Sequence, residues 1–172
     1  MSSIDLSRPF VIHLGARAAT ISWLEGDARS RGMSVFHLDL TDVPDRQSLV
    51  DYLARRFLFP HDVVGIDAAV DLMSDLEWFG NSNGYLMVVH GLTDSSKIAD
   101  DFVSILPNVV DRWRSQAVPF VVAIDSRGSQ FQAALDAANQ EMARAGQLPW
   151  AQPGTGPVDV VVHGGEDPGT GS

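Results

Sequence analysis

The chain has 172 residues and a mass of 18.6 kDa, room for one domain of ordinary size with extensions but too short for two full domains. Hydrophobic residues make up 45% and charged residues 20%, enough apolar content to build a core and to exclude wholesale disorder. The 22 acidic residues against 12 basic ones leave a net charge of -10, which argues against direct contact with nucleic acid or anionic lipid, since both reward basic surface, and for a basic partner.

Cysteine is absent, so disulfides, thiolate metal sites and a cysteine nucleophile are excluded together. Residues 1–14 hold one short apolar stretch and lack the basic start and long apolar run of a signal peptide. No run approaches the roughly twenty apolar residues of a membrane-spanning helix. The expectation is a soluble, cytoplasmic chain.

In chain order, the first apolar run, residues 10–14, reads as a buried strand, and residues 16–31 read as a helix ending at Gly32, with Ala18, Ile21 and Ala28 on one side. A second strand is expected over 35–40. Ser48 is then placed to cap a helix in which Leu49, Leu53 and Phe57 recur every four residues, with Arg55 and Arg56 where the dipole favours cations. Phe59-Pro60 breaks that pattern, and the loop over 61–66 leads through Gly65 into a third helix over 67–76. A third strand follows over 85–90. Residues 98–113 have helical period, and Pro107 inside them either kinks one helix or opens a second. A fourth strand is expected over 120–124 and a further helix over 129–145. The rest is a Gly/Pro-rich tail in which residues 158–163 can form a short strand. Strands separated by helices imply an α/β fold with a mainly parallel sheet.

The negative charge is concentrated locally. Residues 57–96 carry Asp62, Asp67, Asp71, Asp75, Glu77 and Asp94 and no Lys or Arg. Asp67, Asp71 and Asp75 recur every four residues, which puts them on one side of a helix, while Ala68, Ala69, Leu72, Met73 and Leu76 supply the side facing a core. Like charges at this spacing oppose one another, so local helix stability does not call for the stripe. It is either an ordinary solvated face or an anionic patch fitted to a cationic pocket.

Other chemistry is thinner. His13, His37 and His90 with Asp39 and Asp125 lie at or near the C-terminal ends of expected strands, where parallel sheets place ligand sites, and they would suit a metal-dependent enzyme. None shows the i, i+4 pairing of a metal motif, and neither Gly-x-Ser-x-Gly nor a phosphate-binding loop occurs. The reading is therefore of a protein with no catalytic residue, no metal and no cofactor. Trp78 and Trp113 are expected in the core.

From residue 35 onward the chain resembles the barstar-like proteins, intracellular inhibitors of ribonucleases. The likeness is carried by the strand at 35–40, Leu49, Leu53, Phe57, Phe59-Pro60, the Asp67-containing helix, Asp75-Leu76-Glu77-Trp78, the strand Gly84-Tyr85-Leu86-Met87-Val88-Val89, Trp113 and Pro119-Phe120-Val121-Val122. The resemblance implies a three-stranded parallel sheet packed by helices, and an inhibitory surface made by a helix and the loop before it. Two aspartates one turn apart on that helix enter the nuclease active site, and their counterparts here are Asp67 and Asp71, with Asp71 the central anchor. The implied surface comprises Gly65, Ile66, Asp67, Val70, Asp71, Ser74 and Asp75, and the implied partner is a basic secreted or toxin-type ribonuclease. Asp67 and Asp71 are expected to face solvent, without internal partners. The loop His61-Asp62-Val63-Val64-Gly65-Ile66 lacks the aromatic pair and Asn usual in the family, Val70 replaces an aromatic, and Arg112 aligns with an acidic residue of some relatives. The expected organisation is a strand-helix extension over 1–33, the barstar-like domain over 34–125, a C-terminal helix over 126–150 and a flexible tail over 151–172.

Overall fold

Four apolar runs take up extended backbone as β1 (Phe10–His13), β2 (Ser34–Asp39), β3 (Tyr85–His90) and β4 (Phe120–Ile124). The computed structural model describes residues 6–7, 9–13, 18–93, 97–125 and 144, and in it these strands form one sheet in the order β1-β4-β3-β2, every neighbouring pair parallel. The fold is α/β, as the alternation of elements implies. The three strands of the family-like part are extended by β1, whose register places Phe10 beside Val121 and His13 beside Ile124.

A parallel sheet needs cover on both faces, and the period-2 alternation of β3 and β4 divides their side chains accordingly. Leu86, Val88, Val121 and Ala123 face α1 (Ala18–Ser30), which contributes Ile21, Leu24 and Ala28 to a core completed by Leu6 and Met33. Tyr85, Met87, Val89, Phe120, Val122 and Ile124 point the other way, into the larger core under α2 (Arg46–Arg56), α3 (Ile66–Met73) and α4 (Ala99–Gln116). There Trp113 is buried against Phe120, ring planes 4° apart and centroids 5.4 Å apart. Trp78 is half-buried and packs on the same cluster.

Two local expectations are corrected, the cap of α2 and the end of α3, and one open alternative, at Pro107, is settled. The cap of α2 is Asp45, whose side chain accepts the Ser48 backbone N–H at 2.8 Å, so the helix begins at Arg46. A carboxylate at the cap satisfies an orphan N–H and also meets the positive end of the dipole. The helix over the 98–113 stretch is a single one, Ala99–Gln116, running through Pro107. It ends at Ala117 in the left-handed region, φ 57°. Finally, α3 stops at Met73, short of Leu76, which takes a left-handed φ of 46°. Gly84 shows why a glycine opens β3: φ is 104°, and a Cβ there would run into Pro119 at the entrance to β4. Of the helix expected over 129–145 only the helical Arg144 is described. The strand expected over 158–163 lies outside the described residues.

Candidate partner-binding face

The chain enters α3 through Gly65, whose φ of 91° is in the region L-residues rarely occupy. Its missing side chain leaves the helix N-terminus without a side-chain cap, and Asp67 in the first turn sits where the dipole favours an anion. Ala69, Val70 and Met73 bury one side of the helix. The other end is gripped by α4: the Trp113 indole N–H donates to the Met73 carbonyl at 2.9 Å and the Gln116 amide donates to the Ser74 carbonyl at 2.8 Å. These bonds satisfy carbonyls that a helix C-terminus leaves open. The Trp78 indole N–H donates to the Phe57 carbonyl at 2.8 Å, fixing the chain that leaves α3 to the end of α2.

On this mount Asp67, Asp71 and Asp75 are all exposed. Asp67 and Asp71 stand one turn apart on α3, while Asp75 lies two residues past its end and belongs to the following turn. Gly65 and Ile66 are half-buried at the helix entrance. Two residues expected on this face are turned inward. Val70 is 6% exposed and part of the main core, and Ser74 is buried with its hydroxyl donating to the Val70 carbonyl at 2.7 Å. The register explains both: with Asp67 and Asp71 outward, position 70 falls beside Met73 and position 74 beside the gripped helix end. The expectation of two aspartates without internal partners fails for Asp71, which forms an ion pair with Arg112 of α4, whereas Asp67 has no ion pair among the described residues. Both partners of that pair are half-exposed or more.

Two further features adjoin the stripe. Val64, immediately before Gly65, is 85% exposed, and an open groove of about 580 Å³ runs between α2 and this loop, lined by Asp51, Arg55, Phe59, His61 and Val64 among others. Val64 was visible in the sequence only as a residue without an aromatic side chain, because exposure in a loop leaves no periodic signal. Arg46, at the start of α2, donates to Asp101 at 2.7 Å. That bond raises its guanidinium above the ordinary range, and the field of Asp67 adds to the effect. The stripe is thus flanked by Arg46 and Arg112 and is not a purely anionic surface.

The strand-end residues that would suit a metal do not converge. His37, His90 and Asp125 form a line, and the Asp39 carboxylate turns to Thr41, whose hydroxyl and backbone N–H hold it below the usual carboxylate range. Among the described residues no group of three or more His, Asp or Glu is placed to hold a metal ion. The His13 side chain lies outside the described part.

The sequence model of a known family, barstar (barnase inhibitor), matches residues 33–125, more than half of the chain. The protein belongs to the barstar family. The matched span contains β2, α2, α3, β3, α4 and β4, and with them the whole aspartate stripe and Arg112; β1 and α1 fall before it. No curated protein matches the chain. Among the described residues of this barstar-family protein, no helix is long and apolar enough to cross a membrane.

Proposed function

We propose that this barstar-family protein is a non-enzymatic, intracellular inhibitor of a basic ribonuclease, of the kind that protects a cell from a nuclease toxin. The carrying observation is the pair Asp67 and Asp71, exposed one turn apart on a helix whose C-terminal end is held by α4, within the family-matched span. A ribonuclease holds phosphate with Arg, Lys and His, and preorganised carboxylates can occupy those groups through charge-assisted hydrogen bonds. Asp67 and Asp71 stand in for RNA phosphates, Asp75 extends the anionic surface, and Val64, Gly65 and Ile66 supply a rim. Inhibition by occupation needs no chemistry from the inhibitor, so no catalytic group, metal or cofactor enters. The cytoplasm is its place of action because RNA is there to be protected.

The test is to purify the protein from its own cells, identify the co-purifying nuclease and titrate that nuclease's RNA hydrolysis with the protein. Activity is expected to fall to zero at one equivalent. Undiminished hydrolysis at excess protein would remove the proposal. The pairing of Asp71 with Arg112 supports a second reading, in which the same fold binds a partner other than a nuclease, since the face carries a cation as well as anions. Binding without inhibition in the same titration would favour it.

A further inference from the structure

Among the described residues, positive φ is taken by Gly32, Gly65, Gly80, Gly84 and Gly91, and otherwise only by Leu58, Leu76 and Ala117. Leu58 owes its conformation to the way α2 ends. Its N–H donates to the Arg55 carbonyl at 3.4 Å, and the Phe59 N–H donates to the Ala54 carbonyl at 2.9 Å. These are the paired bonds of a Schellman motif, in which the first residue beyond the cap is left-handed and usually glycine. A leucine Cβ there crowds the following carbonyl oxygen, a strain that glycine does not have.

The other two exceptions have an evident account. Leu76 is fully buried in the main core, where burial offsets the strain, and Ala117 carries only a methyl group. Leu58 has no such compensation, since its φ is 52° and the residue is 66% exposed. Glycine at this position would relieve the backbone and withdraw apolar surface from water. The free fold therefore gives no reason for leucine, and strain that the fold does not need is a mark of a functional position.

The surroundings of Leu58 supply the reason. The two large hydrophobic residues exposed among those described, Leu58 and Val64, stand at either end of the loop that joins α2 to α3. Phe59, next to Leu58, lines the same groove as Val64, and Val64 leads through Gly65 into the first turn of α3 and Asp67. The charges around the groove are mixed, Asp51 and Asp62 with Arg55 and His61. What this loop adds to the anionic face is thus apolar contact. We propose, on the reading that Asp67 and Asp71 meet the cations of a ribonuclease, that Leu58 is a contact residue for the same enzyme and packs, with Val64, on an apolar patch bordering those cations. The contact offsets in the complex a strain that the free inhibitor carries.

The experiment uses the full chain and the nuclease that co-purifies with it. In Leu58→Gly the urea midpoint of the free protein is expected to rise, because the left-handed strain is gone, while the dissociation constant increases about tenfold or more, the factor for one apolar side chain left unburied. Leu58→Asn, which tolerates the same φ with a polar side chain, should bind as weakly with no drop in midpoint. Leu58→Met, apolar at unchanged strain, should keep the wild-type affinity. A purely structural leucine would move stability and affinity together, and that outcome, or unchanged affinity in both the Gly and Asn variants, would overturn the proposal. Asp67→Ala separates the two readings. If it weakens binding while the Leu58 variants do not, the contact at Leu58 fails and the anionic face stands, whereas a wild-type protein that does not inhibit the nuclease removes both. A free protein that sediments as a dimer, and as a monomer in Leu58→Gly, would put a second copy of the chain on Leu58 and overturn the proposal as well.

Discussion

Asp71 has a partner before any other protein arrives, and the energetics of that pair decide what Arg112 does to binding. An exposed ion pair contributes about 0–1 kcal/mol, so a cation of a bound nuclease can displace or share the guanidinium at small cost. Removal of the competitor should therefore help. Arg112→Ala is expected to tighten the inhibitory complex by up to about fivefold, the factor equivalent to that pair energy. Asp67→Ala and Asp71→Ala should each weaken it by about tenfold or more, since each removes a charged hydrogen bond. All three side chains are exposed or half-exposed, so melting temperatures should move little. Calorimetric titration of the co-purified nuclease with each variant checks the order. Weaker binding by Arg112→Ala would mean that Arg112 itself meets an anion on the partner. A second residue-scale effect lies at Asp45, whose carboxyl the Ser48 hydrogen bonds hold below its ordinary range. A depressed carboxyl adds stability above its unfolded value and loses it as pH falls through the folded one. Asp45→Ala should thus lower Tm at neutral pH, and the difference from the wild type should shrink in acid, as thermal melts across pH would show.

At the scale of elements, what the sequence made legible was what periodicity records. The four strands, α1 and the apolar face of α2 follow from β-branched runs and from Leu49, Leu53 and Phe57, because burial on one side of a regular element writes itself into spacing. The end of α3 does not follow from spacing. Asp75 and Leu76 continue the helical pattern of Asp67 and Asp71, yet Trp113 and Gln116 take the carbonyls of Met73 and Ser74 from forty residues away. The Arg112 pair has the same origin, since it depends on where α4 lies against α3, whereas the inward turn of Val70 follows from the register that puts Asp67 and Asp71 outward. The aspartate stripe was legible as a charged face, but its neutralised member was not. One element carries a direct test of packing. Leu24 of α1 is fully buried in the core on the far side of the sheet, and Leu24→Ala should destabilise the protein by about 2–5 kcal/mol through lost contact and cavity. Urea denaturation should show a lower midpoint. A shift below about 0.5 kcal/mol would mean that α1 adds little to the stability of the sheet.

For the molecule as a whole the decisive quantity is its net charge of -10, because it acts before any contact forms. The Debye length is about 8 Å at physiological ionic strength, so the field of the many acidic residues reaches an approaching cationic enzyme only over the last stretch of its path. Within that stretch it orients and accelerates encounter, an effect on the association rate. In the proposed complex the Asp67 and Asp71 contacts would be shielded from solvent and would respond less to salt. The two rates should therefore separate. Raising ionic strength from about 0.01 to 0.15 M, which shortens the screening distance from about 30 to 8 Å, is expected to slow association by about tenfold or more while the dissociation rate changes far less. Stopped-flow mixing with the co-purified nuclease at several salt concentrations measures both. Carboxylates distant from α3, such as Asp27 and Asp42, should contribute to the salt-dependent rate without touching the partner, so neutralising them should reduce the slope and leave dissociation unchanged. If association proved insensitive to salt while inhibition stayed tight, the complex would owe its speed and affinity to shape and apolar contact around Val64, and the acidic excess would serve solubility alone.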